Sequence, residues 1–73
     1  MYQKIIKNEK AVKAWNEAHP NPEGGVRVRV TLDLGQTIET TTRSAAWMLG
    51  GYSPVIKLAG ISGAFLLTRV KAY

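Results

Sequence analysis

The chain contains no cysteine. No disulfide, thiolate nucleophile, cysteine-ligated zinc or iron–sulfur cluster can therefore be built from it. One histidine, His19, excludes a multi-histidine metal site within a single chain. No run of 18 apolar residues is present, so no membrane-spanning helix is expected. The opening residues, Met1 to Asn8, lack the apolar stretch and small-residue cleavage site of a secretory leader. Together with the missing cysteine, this predicts a cytoplasmic protein. Acidic residues are also scarce: five Asp and Glu stand against ten Lys and Arg, a formal charge of +5.

What is present fits a small folded unit. Hydrophobic residues make up 45% and charged residues 21% of the 73 positions, a globular balance and not a disordered one. A chain this short buries only roughly 60% of its unfolded surface, which leaves little room for a deep substrate pocket. The expectation is a non-enzymatic binding protein without cofactor or metal. The positive charge favours acidic partners: nucleic acid, an anionic lipid surface or an acidic protein surface.

One boundary stands out. His19-Pro20-Asn21-Pro22-Glu23-Gly24-Gly25 places two prolines and two glycines in seven residues, which no regular element survives. The chain therefore reads as one domain, 1–73, with a helical segment over 1–19, a linker over 20–25 and antiparallel strands over 26–73. The helix is predicted over about 8–18, with Asn8 as N-cap and Glu9 complementing the positive helix end. Ala11, Ala14, Trp15 and Ala18 fall at i, i+3, i+4 and i+7, and Val12 widens that stripe. Beyond the linker, Val26, Val28, Val30, Leu32 and Leu34 alternate with Arg27, Arg29, Thr31 and Asp33, the signature of a half-buried strand. Gly35-Gln36 turns the chain into a returning strand over 37–43, rich in β-branched residues. Ser44 to Leu49 breaks the alternation and reads as a helical turn capped by Ser44. A third strand is expected over 55–59 and a fourth over 65–71, separated by the Gly60–Gly63 turn. The predicted class is α+β: one N-terminal helix on a small, strongly bent four-stranded antiparallel sheet or small barrel.

Basic and aromatic residues supply the candidate sites. Arg27 and Arg29, two apart on one strand, leave by the same face, and the planar guanidinium suits carboxylate or phosphate. Tyr2, Ile5 and Ile6 form an apolar cluster at the chain start, beside Lys4 and Lys7. These seven residues are the predicted protein-docking set. Arg43, Lys57, Arg69 and Lys71, with Trp47 and Tyr52 flanking Gly50-Gly51, are the candidate contacts for nucleic acid, whose bases stack on exposed rings. The plain alternative for the cations is a solvated face that blunts aggregation, and Asp33 and Glu39 are placed to pair across strands. Trp15 and Phe65 read as core. His19 reads as a helix-end residue, and Gly60-x-x-Gly63, without the Lys-Ser/Thr of a phosphate loop, as turn chemistry.

Thr42-Arg43-Ser44-x-x-Trp47-x-Leu49-Gly50, followed by Pro54-Val55-Ile56-x-Leu58-x-Gly60-x-x-Gly63 and Leu67, resembles the small orphan proteins encoded by tailed bacteriophages. The resemblance spans about residues 26–71. One phage protein of similar size is a transcription regulator that inhibits host RNA polymerase and acts as an antiterminator. The chain itself is expected to be a monomer. The resemblance implies docking on a host protein in the bacterial cell, RNA polymerase foremost, near the RNA exit channel. There nucleic acid would be a secondary contact. It carries over no individual functional residue. The alternatives are a small-barrel nucleic-acid binder, an inhibitor of a bacterial defence nuclease, and a self-associating structural module.

Overall fold

The computed structural model describes residues 2–73, and side chains from Ile6 onward. It contains helix α1 (Tyr2–Ala18), strands β1 (Arg27–Thr31), β2 (Thr37–Thr41), β3 (Trp47–Leu49), β4 (Ser53–Lys57) and β5 (Ala64–Leu66), a 3-10 turn over Leu67–Arg69, and β6 (Val70–Ala72). The class is α+β, as the sequence implies. The expected single four-stranded sheet is replaced by two three-stranded antiparallel sheets, ordered β2-β1-β6 and β3-β4-β5, which do not close into a barrel.

The two sheets pack around one small core. Val28 and Val30 of β1, Ile56 of β4 and Leu58 are fully buried, joined by Ala46, Leu67 and Val70. The alternation of β1 is thus realised over its centre. It fails at its end, because Leu32–Gly35 turns and leaves Leu34 at the hairpin tip, 88% exposed. The fourth predicted strand is also divided. Along Phe65 to Lys71 the apolar residues switch face, and the 3-10 turn makes that switch by sinking Leu67 into the core. The predicted helical turn after Ser44 is instead β3, paired antiparallel with β4 through Trp47–Val55, Met48–Pro54 and Leu49–Ser53. The Ser44 hydroxyl caps no helix. It accepts a hydrogen bond from the Lys57 N–H at 3.2 Å.

The helix begins earlier than expected, so Asn8 lies within it and not at its cap. Its two asparagines serve tertiary structure. The Asn8 side-chain amide donates to the Tyr52 carbonyl at 3.1 Å. Asn16 clamps the main chain of Ala46, donating to its carbonyl at 3.0 Å and accepting from its N–H at 2.9 Å. These bonds fix the rotation of the helix. Val12 and Trp15 pack on the core, while Ala11, Ala14 and Ala18 are exposed. The stripe read from alanine spacing is therefore displaced by about one residue step: 8, 12, 15, 16 and 19 form the inner face. The helix ends at Ala18, before the prolines, and the His19 ring rests on Trp15 with centroids 4.5 Å apart.

Gly24 closes the linker against the strands. It has φ +85°, and a Cβ there would stand 2.4 Å from the Thr42 carbonyl oxygen. Gly35, at φ +84°, has open space around it. Gly24→Ala should therefore cost roughly 3 kcal/mol, the left-handed backbone penalty plus a steric clash, and Gly35→Ala only about 1 kcal/mol. Urea unfolding of the two variants checks this. Equal losses would show that the approach to Thr42 is unimportant.

Candidate functional site

The sheet β2-β1-β6 turns one face to the core and one to solvent. Register settles what the outer face holds. Arg27 lies opposite Thr41, Arg29 opposite Glu39 and Lys71, and Thr31 opposite Thr37. Because Val28 and Val30 point inward, Arg27 and Arg29 must point outward, and both are exposed. Tyr73 follows β6, and its N–H donates to the Arg27 carbonyl at 3.3 Å. The centroid of the Tyr73 ring lies 5.7 Å from the Arg27 Cζ and 5.1 Å from the Arg29 Cζ, so one aromatic ring contacts both guanidinium groups. At exposed sites such contacts are worth about 0.5–1 kcal/mol each, enough to bias the rotamers of two long side chains.

Glu39 completes the cluster. Its carboxylate accepts from Arg29 at 2.9 Å. The Arg29 guanidinium, and after it the Tyr73 hydroxyl, hold this carboxyl below its ordinary value of 4.5, with the charge of Arg27 adding a smaller pull. At the end of the same sheet Arg69 is ion-paired with Asp33, in the turn of the β1–β2 hairpin. A groove of about 260 Å³ runs between Arg29, Thr31, Arg69, Lys71 and Tyr73. Arg27 and Lys71 have no carboxylate within ion-pair distance among the described residues.

The remaining predicted cations lie elsewhere. Arg43 and Lys57 meet where β2 and β4 approach each other, with the Arg43 N–H donating to the Lys57 carbonyl at 2.8 Å. The six cations that follow the linker are thus divided between two faces: Arg27, Arg29, Arg69 and Lys71 on one, Arg43 and Lys57 on another. Trp47 is half-buried on β3, and Tyr52 is exposed in the turn between β3 and β4. Of the docking set at the chain start, Tyr2, Lys4 and Ile5 have side chains outside the described residues. Ile6 is half-buried and Lys7 exposed on α1, which packs on β3 and β4 and not on the outer face of β1. Among the described members of the docking set, Ile6 and Lys7 therefore stand on a different element from Arg27 and Arg29. Tyr73, in contrast, belongs to the site and was not singled out as a site residue from the sequence. The signal for it lies in the alternation of β6, where Lys71 and Tyr73 share a face, but only the β1–β6 register brings that face beside Arg27 and Arg29.

Among the described residues, no group of three or more His, Asp or Glu side chains stands close enough to hold a metal, and no helix is long and apolar enough to cross a membrane. Comparison with known protein families, with curated proteins and with solved structures finds no match.

The folded-state pKa of Glu39 is depressed. The stability that its ion pair contributes is therefore present above the ordinary carboxyl value and is lost as pH falls through the lower folded value. Carboxyl titration followed by NMR should place Glu39 below 4.5, and Tyr73→Ala should raise it while leaving it below that value, because Arg29 remains. An unchanged titration in the variant would remove Tyr73 from the cluster.

Proposed function

We propose that this chain is a non-catalytic, phage-type regulator that docks on a host protein machine, bacterial RNA polymerase, and so inhibits initiation or promotes antitermination. The resemblance of residues 26–71 to the phage proteins suggests the class of partner. The observation that carries the docking surface is the pair Arg27 and Arg29 held over the Tyr73 ring. Two exposed guanidinium groups normally lose much side-chain freedom on binding. Here the aromatic support and Glu39 restrict them beforehand, so less is lost when a carboxylate-rich surface arrives. Arg and Tyr are also the residue types most often found at the energetic centre of protein interfaces.

Regulation follows if the polymerase has two arrangements and the chain binds one of them better. The shift it can impose is bounded by that difference in affinity. A small rigid body with a fixed basic face meets this requirement by occlusion or by bridging mobile elements, with no chemistry of its own.

Reversing both charges, Arg27→Glu with Arg29→Glu, should weaken association with purified bacterial RNA polymerase by roughly tenfold or more and flatten its dependence on salt. Both side chains are exposed, so the fold should persist, as checked by circular dichroism. Wild-type affinity in the double variant would overturn this assignment of the surface.

A further inference from the structure

A second groove, of about 420 Å³, is lined by Arg43, Lys57, Leu58, Ile61, Ser62 and Gly63. Its two cations, Arg43 just beyond β2 and Lys57 at the end of β4, are held by main-chain hydrogen bonds beneath them. The Arg43 N–H donates to the Lys57 carbonyl at 2.8 Å, and the Lys57 N–H donates to the Ser44 hydroxyl at 3.2 Å. The Thr42–Leu58 bridge immediately behind them locks the two strands together. The groove floor is thus rigid, while the charged side chains remain exposed.

The electrostatics differ from those of the Arg27–Arg29 face. There, Arg29 and Arg69 are each paired with a carboxylate. In this groove neither cation has one within ion-pair distance. The five acidic residues of the chain account for this. Glu17 lies near Lys13, Asp33 holds Arg69, Glu39 holds Arg29, and Glu9 is on the helix. Glu23 precedes Gly24, which packs on the Thr42–Arg43 backbone, yet it makes no ion pair with Arg43. Two like charges facing one polar groove without neutralisation are unfavourable in the free protein, and an anion between them removes that cost.

The lining also selects among anions. None of the large exposed apolar side chains, Leu34, Leu49, Tyr52, Leu66 and Tyr73, lines this groove. A protein partner would want such an anchor at the centre of its interface. A phosphodiester strand needs only cations and hydroxyl donors along its track, and Arg43, Lys57 and Ser62 supply both. We infer that the Arg43–Lys57 groove binds the phosphate backbone of a nucleic-acid strand. This site is separate from the Arg27–Arg29 face and does not rest on the docking reading above.

The test is fluorescence anisotropy of labelled 12-mer oligouridylate and oligothymidylate with the full chain, over a series of salt concentrations. Neutralising two phosphates of a single strand corresponds to a slope of log affinity against log salt of about −1.4. Arg43→Gln with Lys57→Gln should weaken binding about tenfold at low salt and flatten the slope by about that amount. Arg69→Gln with Lys71→Gln should leave both nearly unchanged. Oligonucleotide-induced NMR shifts in the wild-type chain should centre on Arg43, Lys57 and residues 60–63, a readout that needs no variant to fold. Preference for oligouridylate would identify RNA as the source of the phosphates, and equal binding would identify the backbone charge alone. Absence of binding at low salt, a larger effect from the Arg69 and Lys71 pair, or shifts centred on Tyr73 would each overturn the inference.

Discussion

Thr42 is hydrogen-bonded to the end of the linker and stands at the one point where the two sheets are bridged. Its N–H donates to the Val26 carbonyl at 2.9 Å, its carbonyl accepts from the Gly25 N–H at 2.6 Å, and its hydroxyl accepts from the Val26 N–H at 3.1 Å. It also forms the bridge to Leu58 that joins one sheet to the other. Thr42 is the buried polar residue of the core, 3% exposed, and it is hydrogen-bonded throughout. A buried hydroxyl left without partners would cost about 1–3 kcal/mol, so this residue tolerates few alternatives. The linker glycines and both basic faces depend on it. Gly24 must lie against it, β1 starts beside it, and Arg43 and Lys57 are positioned by the strand ends that it joins.

The two faces illustrate how the same residue types acquire different character from their neighbours. Arg29 and Arg69 belong to ion pairs, and Arg27 shares an aromatic ring with Arg29. Arg43 and Lys57 have main-chain support and no counter-charge. Exposed ion pairs of the first kind contribute at most about 1 kcal/mol to stability. Their larger effect is to fix where the guanidinium groups stand. The net charge of +5 is therefore not spread evenly over a solvated surface.

Much of this was readable beforehand, and the remainder has identifiable causes. The period-two alternation of Val26 to Val30 located β1 and aimed its arginines, because strand geometry leaves only two directions for a side chain. The Pro-Gly linker and the glycine turns fall between elements of the structure, since few residues adopt those backbone conformations, although the strand ends lie one to several residues from the predicted ones. The inner face of the helix differs from the alanine stripe because alanine is apolar enough to count in a stripe yet buries too little to decide one. Asn16, which does decide it, reads as polar surface until its partner Ala46 is known. Ser44 to Leu49 looked helical because a three-residue strand has no measurable period. The predicted strand over 65–71 is split by the 3-10 turn, because its apolar residues do not keep to one face. The cations could be listed from sequence. Their division into two groups could not, since it follows from cross-sheet register.

The attachment of the helix has a further consequence. Asn8 and Asn16 are about 12 Å apart along its axis, and between them only Val12 and Trp15 reach the core. A 17-residue helix with no acidic residue in its first turn and no basic residue in its last draws little stability from its own dipole. It is held by two polar fasteners and a narrow apolar seam. Such an element opens as a unit at lower free energy than the strands beneath it, so the chain has two tiers of cooperativity within 73 residues. Amide protons of α1 would exchange with solvent through that partial opening, whereas those of β1 and β4 would wait for the whole molecule to unfold.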